Sequence, residues 1–183
     1  PPRLIAFTRQ VPVSIARCQL THLSREPIDL HTAQTEHAAY EAALRFLGVD
    51  VHRLPTTDDL ADSVFVEDAA VVLDDLAVIT RTGAPSRRAE LGSVGEALAL
   101  HRALVFIGEP ATLDGGDVLV LDREIYVGLT SRSSAEGVSQ LRAAVGPFDY
   151  SVQEVAVTGC LHLKSAVTRA GEAWRWSHWL KRR

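Results

Sequence analysis

Two stretches of the chain run through the same order of elements, and that repetition restricts the fold more than any other feature. In the first, Phe65 to Leu73 reads as a strand, Asp74-Asp75 as a turn and Leu76 to Thr80 as the returning strand. A loop through Gly83 and Pro85 leads to Ser86, which suits a helix N-cap, and the segment from Arg87 to Arg102 carries Leu91, Val94 and Leu98 at helical spacing. Ala103 to Ile107 closes the unit as a strand, ended by Gly108 and Pro110. The second copy runs Val118 to Leu121, the Asp122-Arg123 turn, Glu124 to Val127, a helix with Val138, Leu141 and Val145, and a strand from Tyr150 to Val157. The unit is strand, strand, helix, strand, with a period of roughly 45–55 residues, within the range of repeat architectures. A further strand, Leu161 to Thr168, opens another unit. The predicted class is α/β.

Ahead of the repeats, Leu4 to Thr8 reads as a short buried strand and residues 9–30, with Pro12 and Pro27, as loop. Thr32 or Thr35 can open a helix with Ala38, Ala39, Ala42, Ala43, Leu44 and Leu47 on its apolar side, closed by Gly48. Val49 to Leu54 alternates as a strand and stops at Pro55.

Three groups of residues carry chemistry. Asp62-Ser63-Val64-Phe65-Val66-Glu67-Asp68 alternates as a strand with three carboxylates at its mouth. Such a cluster repels itself unless a cation meets it, so a guanidinium, an ammonium group and a metal are all candidates. Arg87 and Arg132 fall at equivalent places in the two repeats, where the second strand hands over to the helix. A cation there opposes the helix dipole, so the pair reads as a clamp for a carboxylate held by forked hydrogen bonds. On the predicted strand after Gly159, Cys160, His162 and Lys164 share one face, and a general base there needs an orienting carboxylate from another unit. Asp114-Gly115-Gly116-Asp117 reads first as a turn with close backbone approach. Cys160 and His162 alone are too few ligands for a structural zinc site.

Composition narrows the classes. A net charge of −4 gives no reason to expect nucleic acid or an anionic membrane as partner, and no apolar run approaches the roughly 20 residues of a membrane span. Two cysteines, Cys18 and Cys160, make no disulfide framework, so a cytoplasmic setting is expected.

These motifs resemble the dimethylarginine dimethylaminohydrolase family, within the guanidino-group-modifying (pentein) enzymes. The acidic stretch 62–68, Ile79-Thr80-Arg81 with Gly83-Ala84-Pro85-Ser86-Arg87-Arg88, Leu113-Asp114-Gly115-Gly116-Asp117-Val118 and Leu161-His162-Leu163-Lys164 occur in family order and spacing, from about Leu4 to Thr168. The resemblance implies a five-bladed α/β propeller, incomplete in this chain, over residues 1–172. It implies that Glu67 and Asp68 meet the guanidinium, Asp62 helps hold the amino-acid end, Arg87 and Arg132 bind the α-carboxylate, and Leu20 belongs to a lid. His162 is implied as general acid/base, oriented by Asp114, with methylated arginine as the substrate and neither cofactor nor metal. The family's cysteine nucleophile lies near the C-terminus, and neither Cys18 nor Cys160 matches it. The expectation is therefore a truncated, inactive fragment, with an arginine deiminase-like hydrolase or a non-catalytic amino-acid-binding protein as alternatives. Residues 173–183, with all three tryptophans, form a tail outside the family pattern.

Overall fold

The computed structural model describes residues 4–21, 24–56, 58–170 and 173–176, with side chains as far as Thr168. Both predicted repeats are present. In the first, β3 (Ala70–Val72) runs antiparallel to β4 (Leu76–Ile79), which pairs in parallel with β5 (Ala103–Phe106) after the helix α2 (Leu91–Ala99). In the second, β6 (Val118–Leu121), β7 (Glu124–Leu129), α3 (Ala135–Val145) and β8 (Ser151–Ala156) repeat the order and the pairing. Each sheet keeps its sequence order, 3-4-5 and 6-7-8. The parallel pair forces a crossover, and the helix supplies it.

One apolar cluster spans both units. Val71, Leu73, Leu76 and Val78 of the first pack with Ile125, Val127, Val138 and Leu141 of the second, all nearly or fully buried. At about 1.5–3 kcal/mol for each such side chain taken out of water, this shared core sets the rim loops of the two units in a fixed relation. The units are also stitched by a bridge between Arg81 and Leu113, and Leu113 N donates to Arg81 O at 2.9 Å.

The N-terminal part forms a parallel pair, β1 (Ile5–Thr8) with β2 (Asp50–Arg53), joined through α1 (Leu30–Phe46). That helix starts earlier than expected. Asp29 is its N-cap and accepts from Thr32 N, so Thr32 lies inside the first turn. Glu41 is the helix's one fully buried side chain among the described residues, and it accepts from Thr8 Oγ1 at 2.8 Å and from Arg53 Nε at 2.8 and 2.9 Å. This ties α1 to both strands.

Three local readings are corrected. Val66–Ala69 is a 3₁₀ turn, so the acidic stretch is not a strand, and Asp68 N bonds back to Phe65 O at 3.3 Å. Pro85–Glu90 is likewise 3₁₀ before α2, while α3 takes Ser134 as N-cap, so Arg87 and Arg132 both precede their α-helices and neither opposes a dipole from the first turn. The predicted strand from Leu161 is a bend, then the single turn α4 (Leu163–Ala166), then β9 (Val167–Ala170). β9 pairs antiparallel with β10 (Ala173–Trp176), which takes up the start of the expected tail, and residues 177–183 lie outside the described residues. Among the described residues no helix is long and apolar enough to cross a membrane.

Candidate functional site

The loop before β6 meets two rim loops of the first unit, the one before β3 and the one after β4, and exchanges hydrogen bonds with both. Asp68 Oδ1 accepts from Gly116 N at 2.9 Å, and Asp114 Oδ1 accepts from Gly83 N at 2.7 Å. The glycines are what permits this approach. A Cβ on Gly115 would drive into the carbonyl of Glu67, and one on Gly116 would lie 2.6 Å from Asp68 Oδ1 and 2.8 Å from the His162 ring. The Asp-Gly-Gly-Asp motif is therefore more than a turn. It is the surface on which the imidazole rests.

His162 Nε2 lies 3.2 Å from Asp114 Oδ2 and 3.9 Å from Asp68 Oδ1. Asp114 is fully buried. Burial works against the imidazolium, but the Asp114 bond and the charges of Asp68, Asp117 and Asp114 outweigh it and hold the His162 pKa above its ordinary value. A histidine so placed holds its proton more tightly than a free imidazole and has a carboxylate to fix its orientation, as a general acid requires. The bend before α4, not a shared strand face, brings it to Asp114.

Arg87 does not stand free as a carboxylate clamp. It is 3% exposed, and its guanidinium meets Asp68 Oδ2 at 2.5 Å, Glu90 Oε2 at 2.9 Å, Phe65 O at 2.9 Å and Asp62 O at 3.3 Å. These bonds raise its pKa further despite burial. Behind it Arg9, fully buried, donates to Glu90 O at 2.8 Å and Ser93 Oγ at 2.5 Å. Arg9 and Glu90 carry no motif, and their role is visible only in the folded chain. Arg132 differs. It is nearly buried, donates to Thr21 Oγ1 at 3.3 Å, and no carboxylate of the described residues pairs with it.

The loop before α1 links the remaining candidates. Gln19 N donates to Asp62 Oδ1 at 2.9 Å and Thr21 receives Arg132, so the exposed Leu20 between them bridges Asp62 and Arg132. Glu67 is exposed and meets Lys164 Nζ at 2.6 Å. A cavity of about 1140 Å³ opens over Phe65, Glu67, Asp68, Gly116, His162 and Lys164. A smaller one of about 460 Å³ beside α2 and β5 touches none of Asp62, Glu67, Asp68, Asp114 and His162.

Sequence reasoning passed over Asp117, Ser133 and Thr130. Asp117 is fully buried and accepts from Ser133 Oγ at 2.6 Å, Thr130 Oγ1 at 2.7 Å and Leu163 N at 3.0 Å. Its place in the Asp-Gly-Gly-Asp motif was the available signal. Cys18 is buried in an apolar cluster with Val11 and Ile15, and Cys160, donating to His162 O at 3.4 Å, has its pKa pushed up by burial and by the Asp117 charge. Asp68, Asp114 and His162 bring potential ligand atoms within 4.8 Å of one another. Their oxygens already serve Gly116, Gly83 and Arg87, which fits acid–base work better than ligation.

The chain matches the family model for eukaryotic N,N dimethylarginine dimethylhydrolase over residues 11–168. A curated N(G),N(G)-dimethylarginine dimethylaminohydrolase of Streptomyces coelicolor is 46% identical over 168 residues, covering 91% of this chain and 65% of the relative. The solved structure of a mutant dimethylarginine dimethylaminohydrolase from Pseudomonas aeruginosa, complexed with citrulline, superposes with a TM-score of 0.87 at 31% identity, covering 91% of this chain and 66% of that one. The N-terminal domain of ArgZ, a cyanobacterial arginine dihydrolase, shares the α/β fold at a TM-score of 0.74 and 13% identity, covering 85% of this chain and 58% of that one. The chain thus spans 58–66% of the length of these relatives.

Proposed function

Because the chain belongs to the dimethylarginine dimethylaminohydrolase family, we propose that its residues supply the substrate-binding and acid–base part of a hydrolase that turns Nω-methylated arginine into citrulline and methylamine or dimethylamine. The observation that carries this reading is the His162–Asp114 bond set against Asp68 beside a cavity lined with carboxylates. Glu67 and Asp68 would face the cationic guanidinium. Arg132, with no carboxylate partner among the described residues, would take the substrate's α-carboxylate beside Asp62 and under Leu20. Arg87 would act from behind, by holding Asp68.

In the reaction a cysteine thiolate attacks the guanidinium carbon, and protonated His162 gives its proton to the nitrogen of the departing amine as the C–N bond breaks. Neutral His162 then takes a proton from water, which adds to the thiouronium carbon. The C–S bond breaks, and citrulline and the thiolate are released. Cys18 and Cys160 do not fit the nucleophile's role, since Cys18 is buried in an apolar cluster and burial with the Asp117 charge pushes the Cys160 thiol up. Residues 1–183 by themselves are therefore expected to release no citrulline.

Dimethylarginine at millimolar concentration, added to purified residues 1–183, should shift the His162 ring resonances in an NMR titration. Resonances that stay still at every concentration would remove the site. Citrulline release that Cys160→Ser abolishes would make Cys160 the nucleophile. With the nucleophile supplied, dimethylamine as product supports this reading, whereas ammonia from arginine would favour a deiminase.

A further inference from the structure

Asp117 is a buried carboxylate with neither arginine nor lysine against it among the described residues, and it does not line the cavity. Burial pushes its pKa up against the pull of the groups that hydrogen-bond to it, and those hydrogen bonds lead to the reacting pair. Oδ1 receives the N–H of Leu163, the residue directly after His162. Oδ2 receives the hydroxyls of Ser133 and Thr130. Ser133 Oγ in turn accepts Asp114 N at 3.1 Å, and Thr130 Oγ1 accepts Arg132 N at 3.0 Å. Gly128 makes the room, since a Cβ there would lie 2.9 Å from Leu163 Cβ and 3.1 Å from Asp117 Oδ1.

We infer that Asp117 is a positioning residue, which sets Asp114 through the Ser133 hydroxyl and His162 through the Leu163 N–H so that Asp114 Oδ2 and His162 Nε2 meet. This rests on reading that pair as the acid–base machinery. The geometry gives it content beyond local turn stability. Asp114 comes from the loop before β6 and His162 from the bend before α4, and no backbone hydrogen bond among the described residues joins those two positions directly. The imidazole is faced by Asp114, Asp68 and Asp117, while Cys160 lies against its carbonyl and Lys164, two residues on, is paired with Glu67. Asp117 is the one of the three carboxylates that also fixes the backbone of the other partner.

The test uses Asp117→Asn and Ser133→Ala, with nitrogen-15 and proton NMR of the imidazole as readout. Asp117→Asn should lower the His162 titration midpoint and reduce the fraction of neutral imidazole protonated at Nε2. Ser133→Ala, which keeps the Asp117 charge, should move the midpoint less while still shifting the tautomer ratio. In an enzyme with its nucleophile present, each variant should lower kcat about tenfold or more with KM within about twofold, and the double variant should fall short of the sum. If both variants fold with an unchanged midpoint and tautomer ratio, and only the melting temperature falls, the inference is overturned. If Asp117→Asn does not fold, Ser133→Ala decides by the same criterion. An enzyme with its nucleophile present whose His162 answers both substitutions, but which never turns over methylated arginine, would keep the positioning role and refute the proposed function.

Discussion

Replacing Arg87 with methionine separates a structural arginine from a ligand-binding one. The substitution keeps the stem and removes the head that meets Asp68 at 2.5 Å, Glu90 at 2.9 Å and two carbonyls. Asp68 is 6% and Glu90 2% exposed, so water cannot take over. Breaking one side of a buried charge network costs about 3–5 kcal/mol, a large share of the roughly 5–15 kcal/mol that holds a domain together. Arg132→Met, which loses one hydroxyl contact at 3.3 Å, should change stability by about 1 kcal/mol or less and instead weaken substrate binding by about 1.5–3 kcal/mol. Urea unfolding followed by circular dichroism measures the first difference, and calorimetric titration the second. The Arg87→Met loss should also depend on pH. Burial already raises the Glu90 pKa against the pull of Arg87, so without the guanidinium Glu90 holds a proton more tightly folded than unfolded, and the variant recovers stability as pH falls. Equal urea midpoints for the two variants, or a loss that does not shrink in acid, would refute the reasoning.

Gly115→Ala forces a methyl group into the Glu67 carbonyl and should lower stability by about 3 kcal/mol or more, while Gly116→Ala presses on Asp68 and His162 and should cost less stability but displace the His162 resonances; denaturation curves and NMR together check both. Hydrogen bonds from Arg53, ahead of the Thr8 hydroxyl and the Arg53 and His37 charges, outweigh burial and hold the Glu41 pKa down to about 2, so Glu41 stabilises the fold above pH 4.5 and that contribution fades as pH falls toward 2. Fully converted, the depression would reach about 3 kcal/mol, but Arg53 and Arg45 are half-exposed and screened, so Glu41→Gln should flatten the acid limb of the stability curve by about 1–2 kcal/mol. Asp114→Asn, in an enzyme carrying its nucleophile, should leave KM nearly unchanged and lower kcat by orders of magnitude, because an amide neither stabilises the imidazolium nor fixes its tautomer; steady-state kinetics decide it.

The two repeats were legible because the hydrophobic period changes from two to 3.6 within each, and because Asp74-Asp75 and Asp122-Arg123 mark the turns. The acidic stretch was misread for a related reason. A 3₁₀ turn followed by β3 leaves the same apolar residues inside that an alternating strand would, so Val64 and Val66 could not tell the two apart. The His162 segment failed similarly, since alternating Cys160, His162 and Lys164 suits a strand until the bend and α4 are seen. Glu90, three residues after Arg87, was in plain view as a charge, but its burial depends on Arg9, 81 positions away. Networks closed across such separations leave no local period to read.

The crossed bonds between the rim loops give the site a shared ownership. Asp68 is held by an N–H of the second repeat and Asp114 by an N–H of the first. Neither repeat owns a finished half of the chemistry, and one that moved by an ångström would release the other's carboxylate along with its own. The site is thus a gauge of how two copies of one motif are docked. Divergence at Gly83 or Gly116 would be felt first in the neighbouring repeat, and a duplicated unit standing alone would carry the residues of the site without its geometry.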